Sequence, residues 1–314
     1  MDQQYIKSNT WKKNSAKDEN FQKITINDFH NFNVIAGLYE YPSPFIYNKS
    51  LAPTFLNRIL VKIKKILKFN LINSYKKDLL NLWKELPNDI KKFLPETQKE
   101  HESFLSLNHE ERKYKVNGLY IKCSEQAYNL KNYVKSFSNL NILEIGGGYG
   151  VMAEIVMKHG NKNYLICDLD ETLNIAEMYL KNFTKYEIER IETIEELNKL
   201  DLNTISGKIY LCNVEKFINH NKKINFDIVI NSCSFAEMNK EMLNEYLDII
   251  SRYHNSIISC SNRDRLEGNF QYRHNFWFND KRFNVENIFD YNNVNYPSKN
   301  TRIPQYIVRI NPVT

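Results

Sequence analysis

The hydrophobic positions of the chain follow two different patterns, and the change falls near residue 139. Before it, residues 56–68 place apolar side chains on one helical face, with Arg and Lys on the other side. The first 30 residues are polar and show no clear period, and residues 37–55 contain three prolines. Helices are expected over residues 56–68, 73–86, 88–104 and part of 109–136, where Gly118 interrupts the pattern. The pattern therefore predicts a mostly helical region over residues 1–136, which would build and cover a substrate pocket.

After residue 139, short apolar runs alternate with helical patterns. Strands are expected at 141–145, 164–167, 208–212, 226–233 and 256–260, with a last, antiparallel strand at 305–310. Helices are expected at 151–159, 173–182 and 240–253. Alternation of buried strands with helices is typical of a parallel sheet covered on both faces. We therefore predict an α/β domain over residues 137–314, with a mostly parallel Rossmann-like sheet.

Composition and charge narrow the class of protein. Of the 314 residues, 42% are apolar, and the formal net charge of +6 comes without a basic run of five residues, which disfavours a nucleic-acid partner. No stretch has the length and apolar character of a membrane span, and the N-terminus has no signal-peptide pattern, so a cytoplasmic protein is expected. The abundance of Asn, Lys and Ile is typical of an AT-rich bacterial genome.

The five cysteines predict neither a disulfide framework nor a metal site. Their number is odd, they are widely spaced, and no Cys-x-x-Cys pair exists, so no bound metal is expected. Four of them come at or near the ends of predicted strands, and we interpret them as small buried apolar side chains, with a redox or metal role as the alternative. These four are Cys167, Cys212, Cys233 and Cys260.

The glycines point to a ligand-binding turn. The chain has nine, and four of them fall at Gly146, Gly147, Gly148 and Gly150. Glycine is required where the backbone takes a positive φ or where a ligand approaches the main chain closely. This turn follows a predicted strand and precedes a helix, which puts it at the carboxyl edge of the sheet, where doubly wound folds bind ligands.

The spacing of an acid and the glycines selects between two cofactor classes. Glu144 precedes Gly146 by two residues, giving Glu-x-Gly-x-Gly-x-Gly instead of the Gly-x-Gly-x-x-Gly of dinucleotide folds. The pattern resembles motif I of class I S-adenosylmethionine-dependent methyltransferases, and the resemblance covers roughly residues 139–262. It implies that the acid and the glycines surround the amino-acid part of S-adenosylmethionine. A carboxylate suits the ammonium of that cofactor and would repel a pyrophosphate.

An acid at the end of the second strand supports this assignment. Asp168 lies 24 residues after Glu144 and could accept hydrogen bonds from both ribose hydroxyls, although NAD folds place an acid similarly. The residues from Asp168 to Leu173 also resemble the corresponding region of small-molecule O-methyltransferases. The expected cofactor-binding set comprises Glu144, Gly146, Gly148, Gly150, Asp168, Leu169, Asn213 and Asn231.

The fourth strand bears on the atom that is methylated. It ends in Asn231-Ser232-Cys233-Ser234-Phe235, without the prolines of the Asn/Asp-Pro-Pro-Tyr/Phe motif of amino-methylating enzymes, which favours oxygen. Two further strings, 234–238 and 259–263, resemble a sugar O-methyltransferase family of bacterial surface-polysaccharide clusters. That resemblance implies a sugar or sugar-nucleotide acceptor.

Transfer to a weakly acidic hydroxyl benefits from a general base near the ends of the fourth and fifth strands. The candidates are Glu237, which could instead cap the helix that begins near residue 239, and His274, which could instead be a structural donor. Arg263 and Arg273 could bind a phosphate or carboxylate of the acceptor. Trp277 could stack on a sugar ring or pack in the core.

Three alternatives stay open. The chain could methylate oxygen or nitrogen of another small metabolite, or it could be a non-catalytic homologue that keeps the fold as an interaction module; methylation of nucleic acid is disfavoured by the charge pattern and the fourth strand. The basic face of residues 56–68 is expected to be solvated, with peripheral contact to an anionic membrane as the alternative. The sequence predicts no oligomeric state.

Overall fold

The computed structural model describes residues 77, 79–97, 105–160, 163–202, 207–220, 224–262, 276–289 and 304–311. Several sequence predictions lie outside these residues. They are the helix at 56–68, the proline-rich segment at 37–55, Arg263, Arg273 and His274.

The region before the sheet contains a β-hairpin that the helical prediction missed. Residues 79–85 are helical, α1 spans Asn88–Phe93, and the hairpin strands β1 (Leu105–His109) and β2 (Arg112–Val116) follow. The predicted helix over 88–104 was therefore too long. The strands alternate apolar and polar side chains over only five residues each, a length too short to distinguish a strand from a helical turn by period.

The next helix, α2, spans Gly118–Val134. Gly118 is the first residue of this helix and does not interrupt it. Asn117 is the N-cap, because its side chain accepts a hydrogen bond from the Tyr120 N–H at 2.8 Å. The prediction of a helix over part of 109–136 is thus confirmed for Gly118–Val134, while the strand β2 occupies Arg112–Val116.

The remaining elements alternate between strands and helices. The strands are β3 (Asn141–Ile145), β4 (Asn163–Asp168), β5 (Glu187–Ile191), β6 (Lys208–Asn213), β7 (Ile228–Ser232), β8 (Ile257–Ser261), β9 (Phe283–Phe289) and β10 (Gln305–Ile310). The helices are α3 (Val151–Lys158), α4 (Asp170–Phe183), α5 (Ile194–Lys199), α6 (Val214–Asn219), α7 (Lys240–Ile250) and α8 (Phe276–Asn279).

The eight strands β3 to β10 form one sheet in the order β5-β6-β4-β3-β7-β8-β10-β9. Neighbours from β5 to β8 are parallel, and β10 runs antiparallel to both β8 and β9. The predicted fold class, a mostly parallel Rossmann-like sheet whose last strand is antiparallel, is confirmed. Strand order reverses around β3, and such switch points open a crevice at the carboxyl ends of the strands.

Two apolar layers cover the sheet, one on each face. Ile142 and Ile166 face the layer that contains α2, α3 and α4, whereas Leu143 and Ile145 face the layer that contains α5, α6, α7 and α8. The first layer also includes residues before the domain boundary predicted at 136/137, such as Leu79 and Tyr120. The described residues on the two sides of that boundary therefore share one core, while the boundary itself stays a prediction. Among the helices described, none has the length and apolarity that crossing a bilayer requires.

Candidate functional site

The glycine-rich turn connects β3 to α3 at the carboxyl edge of the sheet. Gly146, Gly148 and Gly150 have φ values of +71°, +57° and +89°. These are the three glycines of the predicted motif, and all three adopt the left-handed conformation that glycine favours. Gly146 is also in close contact with the segment after β7, because a Cβ built on it would lie 2.2 Å from the Cβ of Ser234.

The turn is open at Gly148. A Cβ built there meets no atom within 4 Å, whereas the neighbouring glycines are crowded. The Gly148 N–H donates to Asp168 Oδ2 at 2.9 Å, and the Leu169 N–H donates to Oδ1 of the same carboxylate at 2.7 Å. Asp168, which ends β4, is thereby held against the open side of the turn. Room for a ligand and an oriented carboxylate thus lie together.

Glu144 lies beneath the turn and not on its open surface. Glu144 is 2% exposed, and its Oε2 accepts a hydrogen bond from the Tyr164 hydroxyl at 2.9 Å. A Cβ on Gly147 would lie 3.0 Å from that same oxygen. Burial raises the pKa of Glu144 to about 8 in spite of the Tyr164 hydrogen bond, with the charge of Asp168 adding to the rise. A cation bound at the turn would favour the ionised form of this carboxyl.

The adjacent strand adds a polar residue at the same edge. Asn213 ends β6 and is the direct register partner of Asp168. Its Oδ1 accepts the Glu215 N–H at 2.7 Å, so the side chain also caps α6. The carboxyl ends of β3, β4 and β6 therefore bring together most of the cofactor set expected from the sequence.

Asn231 departs from that expectation. It is 0% exposed, and its amide nitrogen donates to the carbonyl of Ile145 at 2.9 Å and to Ser234 Oγ at 2.5 Å. Its Oδ1 accepts from the Phe235 N–H at 3.3 Å and from the Asn262 amide at 2.6 Å. These bonds use the whole amide to fasten the segment after β7 to β3 and β8. We therefore assign Asn231 to support of the turn and not to ligand contact.

A polar layer that sequence reasoning missed lies between α2 and the ends of β7 and β8. Lys122 Nζ donates to Cys233 Sγ. One turn further along α2, Gln126 accepts from Ser232 Oγ at 2.5 Å and donates to Ser259 Oγ at 3.2 Å. The spacing of four between Lys122 and Gln126 was a signal of a shared face, but only a tertiary contact shows which surface that face covers.

Trp277 belongs to the core. It is 0% exposed in α8, and its ring centroid lies 5.2 Å from those of Phe276 and Phe283 and 6.4 Å from that of Phe235. No ring face is available for stacking on a sugar, so of the two roles expected from the sequence, packing is the one that the structure supports.

Glu237 ends a short 3-10 helix, Phe235–Glu237, directly after β7. The capping role that was the alternative for Glu237 is taken by Asn239, whose side chain accepts the Met242 N–H at 2.8 Å at the start of α7. Catalysis by Glu237 or His274 stays a prediction, as does acceptor binding by Arg263 and Arg273.

Four of the five cysteines are buried, as expected for small apolar side chains, and Cys233 is the exception. Cys167, Cys212 and Cys260 are 0% exposed, and burial raises the pKa of Cys212 to about 12. Cys123, on α2, is also buried, and burial raises its pKa too. Cys233 is only half-buried. Within the described residues, no three His, Cys, Asp or Glu side chains come together as metal ligands would.

No protein-family model and no curated protein matches this chain. Solved structures resemble parts of it. An S-adenosylmethionine-dependent methyltransferase from Clostridium acetobutylicum is 14% identical over 61% of this chain and 92% of its own, with a TM-score of 0.41. The N-methyltransferase NodS from Bradyrhizobium japonicum, in complex with S-adenosylhomocysteine, is 13% identical over 59% and 84%, with a TM-score of 0.43. Magnesium protoporphyrin IX methyltransferase from Synechocystis is 10% identical over 62% and 85%, with a TM-score of 0.41. Likenesses of this size transfer no activity to this chain.

Proposed function

We propose that this protein is an S-adenosylmethionine-dependent methyltransferase. The observation that carries the proposal is the open side of the turn at Gly148, with the Asp168 carboxylate held against it by the N–H groups of Gly148 and Leu169. A carboxylate at the end of the second strand of such a sheet suits a ribose diol. Burial raises the pKa of Glu144 beneath the turn, and a cationic cofactor bound above it would favour the ionised carboxylate, whereas a pyrophosphate would not.

The residues present fit this cofactor. The backbone of Gly146, Gly148 and Gly150 would border its amino-acid part, Asp168 would accept hydrogen bonds from its ribose hydroxyls, and Asn213 would lie beside Asp168 at the next strand end. When bound, S-adenosylmethionine supplies a methyl group that its sulfonium makes electrophilic. Leu169, at the start of α4, would add apolar surface.

The task left to the protein is positioning. It must hold an acceptor oxygen in line with the methyl group and exclude water, and such orientation supplies much of the rate enhancement of group transfer. The segment after β7, fastened by Asn231, fixes the ends of β7 and β8 where the acceptor would bind. We propose that Glu237 or His274 accepts the proton of the acceptor hydroxyl.

We further propose that the acceptor is a sugar or sugar-nucleotide of cytoplasmic surface-glycan synthesis in a bacterium. The support is the resemblance of residues 234–238 and 259–263 to sugar O-methyltransferases and the lack of proline in residues 232–235, directly after Asn231. Arg263 and Arg273 would bind the phosphates of a nucleotide. Residues 1–136 would build and cover the acceptor pocket, and residues 137–314 would bind the cofactor. The acceptor pocket is therefore proposed without Trp277.

Methyl transfer from labelled S-adenosylmethionine to a panel of acceptors tests the proposal. The panel holds sugars and sugar-nucleotides, small phenols and carboxylic acids, primary amines, and an oligonucleotide. We expect label on a sugar or sugar-nucleotide, and loss of transfer in the Asp168→Ala variant. Transfer to an amine or to another metabolite would support the methyltransferase activity but contradict the proposed sugar acceptor. Cofactor binding without transfer to any class would favour the interaction module.

A further inference from the structure

Four buried polar side chains form a hydrogen-bonded network next to the glycine turn. They are Lys115 on β2, Tyr120 on α2, Glu154 on α3 and Tyr179 on α4, and each is at most 6% exposed. Burial of a charge or a hydroxyl costs free energy unless the group is hydrogen-bonded. A satisfied network of this kind fixes one arrangement of the elements that contribute to it.

The hydrogen bonds of the network run in one direction. Lys115 Nζ lies 2.6 Å from Glu154 Oε1 and also donates to the carbonyl of Phe183 at 3.2 Å. The Tyr179 hydroxyl donates to Glu154 Oε2 at 2.5 Å. Because the one proton of that hydroxyl is used, its oxygen accepts the hydrogen bond from the Tyr120 hydroxyl. The chain of donors therefore leads from α2 through α4 to a carboxylate on α3, whose charge Lys115 compensates.

The network contacts the glycine turn at two points. Tyr149, between Gly148 and Gly150, is 4% exposed, and its ring centroid lies 4.9 Å from that of Tyr179 in an edge-to-face arrangement. Glu154 donates its backbone N–H to the carbonyl of Gly150 at 3.0 Å. The two residues that follow Gly148 are thus held by members of the network, while Gly148 itself borders open space.

We propose that this network is a positioning device that holds Tyr149, and with it the glycine turn, in the conformation that binds the cofactor. The inference rests on the proposed function, which names S-adenosylmethionine as the ligand. Glycine allows a turn many backbone conformations, and a ligand binds more weakly when only a fraction of the molecules has the competent one. Lys115 and Tyr120 precede residue 137, so residues outside the proposed cofactor-binding domain set the cofactor affinity.

Tyr120→Phe tests the network, because it removes one hydroxyl and keeps the ring. Without cofactor, amide hydrogen exchange of residues 146–150, followed by mass spectrometry, is expected to be about threefold faster or more in this variant. S-adenosylhomocysteine binding, measured by calorimetry well below the melting temperature, is expected to be about three- to tenfold weaker.

Ser256→Ala is the matched control. Ser256 is 3% exposed, precedes β8 at the opposite edge of the sheet, and donates its hydroxyl to the carbonyl of Phe226. Its loss removes a buried hydrogen bond and is expected to lower the melting temperature as Tyr120→Phe does. Exchange of the turn and cofactor affinity should stay unchanged. Equal exchange rates and affinities in Tyr120→Phe and Ser256→Ala would overturn the proposal.

A double variant separates positioning from stability. Lys115→Met/Glu154→Met is expected to resist urea better than Lys115→Met, because no charge is left buried alone. It should nevertheless bind S-adenosylhomocysteine as weakly as Lys115→Met, since Tyr179 has lost its carboxylate partner. Affinity that recovers together with stability would contradict a positioning role.

Failure of this inference is distinct from failure of the proposed function. Hydrogen exchange of the turn is measured without cofactor, so it tests the network even if the unmodified protein binds no S-adenosylhomocysteine. That outcome would count against the proposed function alone. Binding by the unmodified protein, with the same affinity in Tyr120→Phe and no change in exchange, would count against the network alone.

Discussion

At Gly148, a side chain would have two effects that can be separated: strain in the backbone and interference with the proposed cofactor. The residue has a φ of +57° and open space around a built Cβ, and Gly207, before β6, has a φ of +65° and equally open space. Alanine at either position pays a similar left-handed penalty of about 1–2 kcal/mol. Only Gly148 borders the proposed cofactor.

This pair gives the first prediction. Gly148→Ala and Gly207→Ala should lose similar free energies of unfolding in a urea titration, while Gly148→Ala alone should weaken S-adenosylhomocysteine binding at least tenfold by calorimetry. Equal affinities in the two variants would argue against cofactor contact at the turn.

Glu144 gives a prediction about pH. The folded state holds the proton of this carboxyl up to a pKa of about 8, whereas the unfolded chain ionises it near 4.5. Unfolding therefore releases a proton between these values, and the contribution of Glu144 to stability falls as pH rises through that window. Glu144→Gln removes the dependence and keeps an acceptor for the Tyr164 hydroxyl.

We accordingly expect Glu144→Gln to gain about 2 kcal/mol or more relative to the unmodified protein between pH 5 and pH 8. Denaturant unfolding across this range measures the gain. Glu245→Gln, at an exposed position of α7, serves as the control and should show no such trend. A parallel pH dependence for Glu144→Gln and the unmodified protein would show that the carboxyl is ionised when buried.

Single residues differ in how far the sequence can assign them. The three spaced glycines and Asp168 were predictable. A positive φ favours glycine, and the position of an acid directly after an apolar run indicates the end of a strand. The role of Asn231 was not, since the same amide could contact a ligand or, as found, the Ile145 carbonyl and Asn262. Which partner an amide bonds depends on strands distant in sequence.

At the scale of elements, a buried ion pair ties the hairpin to the helix after the glycine turn. Lys115 on β2 is 1% exposed and places its Nζ 2.6 Å from Oε1 of Glu154 on α3. Tyr179 on α4 donates to the other Glu154 oxygen at 2.5 Å. Burial raises the pKa of Glu154 in spite of the Lys115 charge. Removal of one member of such a pair leaves the other charge buried and uncompensated.

Lys115→Met is therefore expected to lower the free energy of unfolding by about 3–5 kcal/mol, and the double variant Lys115→Met/Glu154→Met should recover at least half of that loss. Urea titration of the two variants and the unmodified protein measures both effects. A single variant as stable as the unmodified protein, or a double variant less stable than the single one, would contradict a pair held mainly by mutual charge compensation.

Within the eight-stranded sheet, the two edge strands, β5 and β9, are the ones that the sequence did not predict. β5 contains Glu187 and Glu189, which pair with Lys208 at 2.6 Å and 3.0 Å, so its alternation is polar and shows no apolar run. β9 is likewise half-exposed at the opposite edge. Central strands are buried on both faces and appear as apolar runs, which is why these were predicted and the edges were not.

Across the whole molecule, two apolar layers enclose the sheet, and Trp277 is the largest fully buried side chain of the second. Its neighbour Phe278 is 60% exposed. The sequence could not distinguish them, because three consecutive aromatic residues in a four-residue helix carry no period. Because Trp277 lies inside an apolar layer and Phe278 is exposed, we expect alanine at the two positions to lower the free energy of unfolding by different amounts.

Trp277→Ala should reduce the free energy of unfolding by about 3–5 kcal/mol, and Phe278→Ala by less than about 1 kcal/mol. Chemical denaturation of the two variants provides the comparison. A stable Trp277→Ala protein with impaired acceptor binding would return this residue to the acceptor pocket.

The central claim is that the crevice at the glycine turn binds S-adenosylmethionine. Isothermal titration of the unmodified protein with S-adenosylhomocysteine tests it most directly. We expect one molecule bound per chain with a dissociation constant in the micromolar range, which corresponds to a binding free energy of roughly −8 kcal/mol. We expect at least tenfold weaker binding in Asp168→Ala. No binding, or binding that Gly148→Arg and Asp168→Ala both leave unchanged, would contradict the claim.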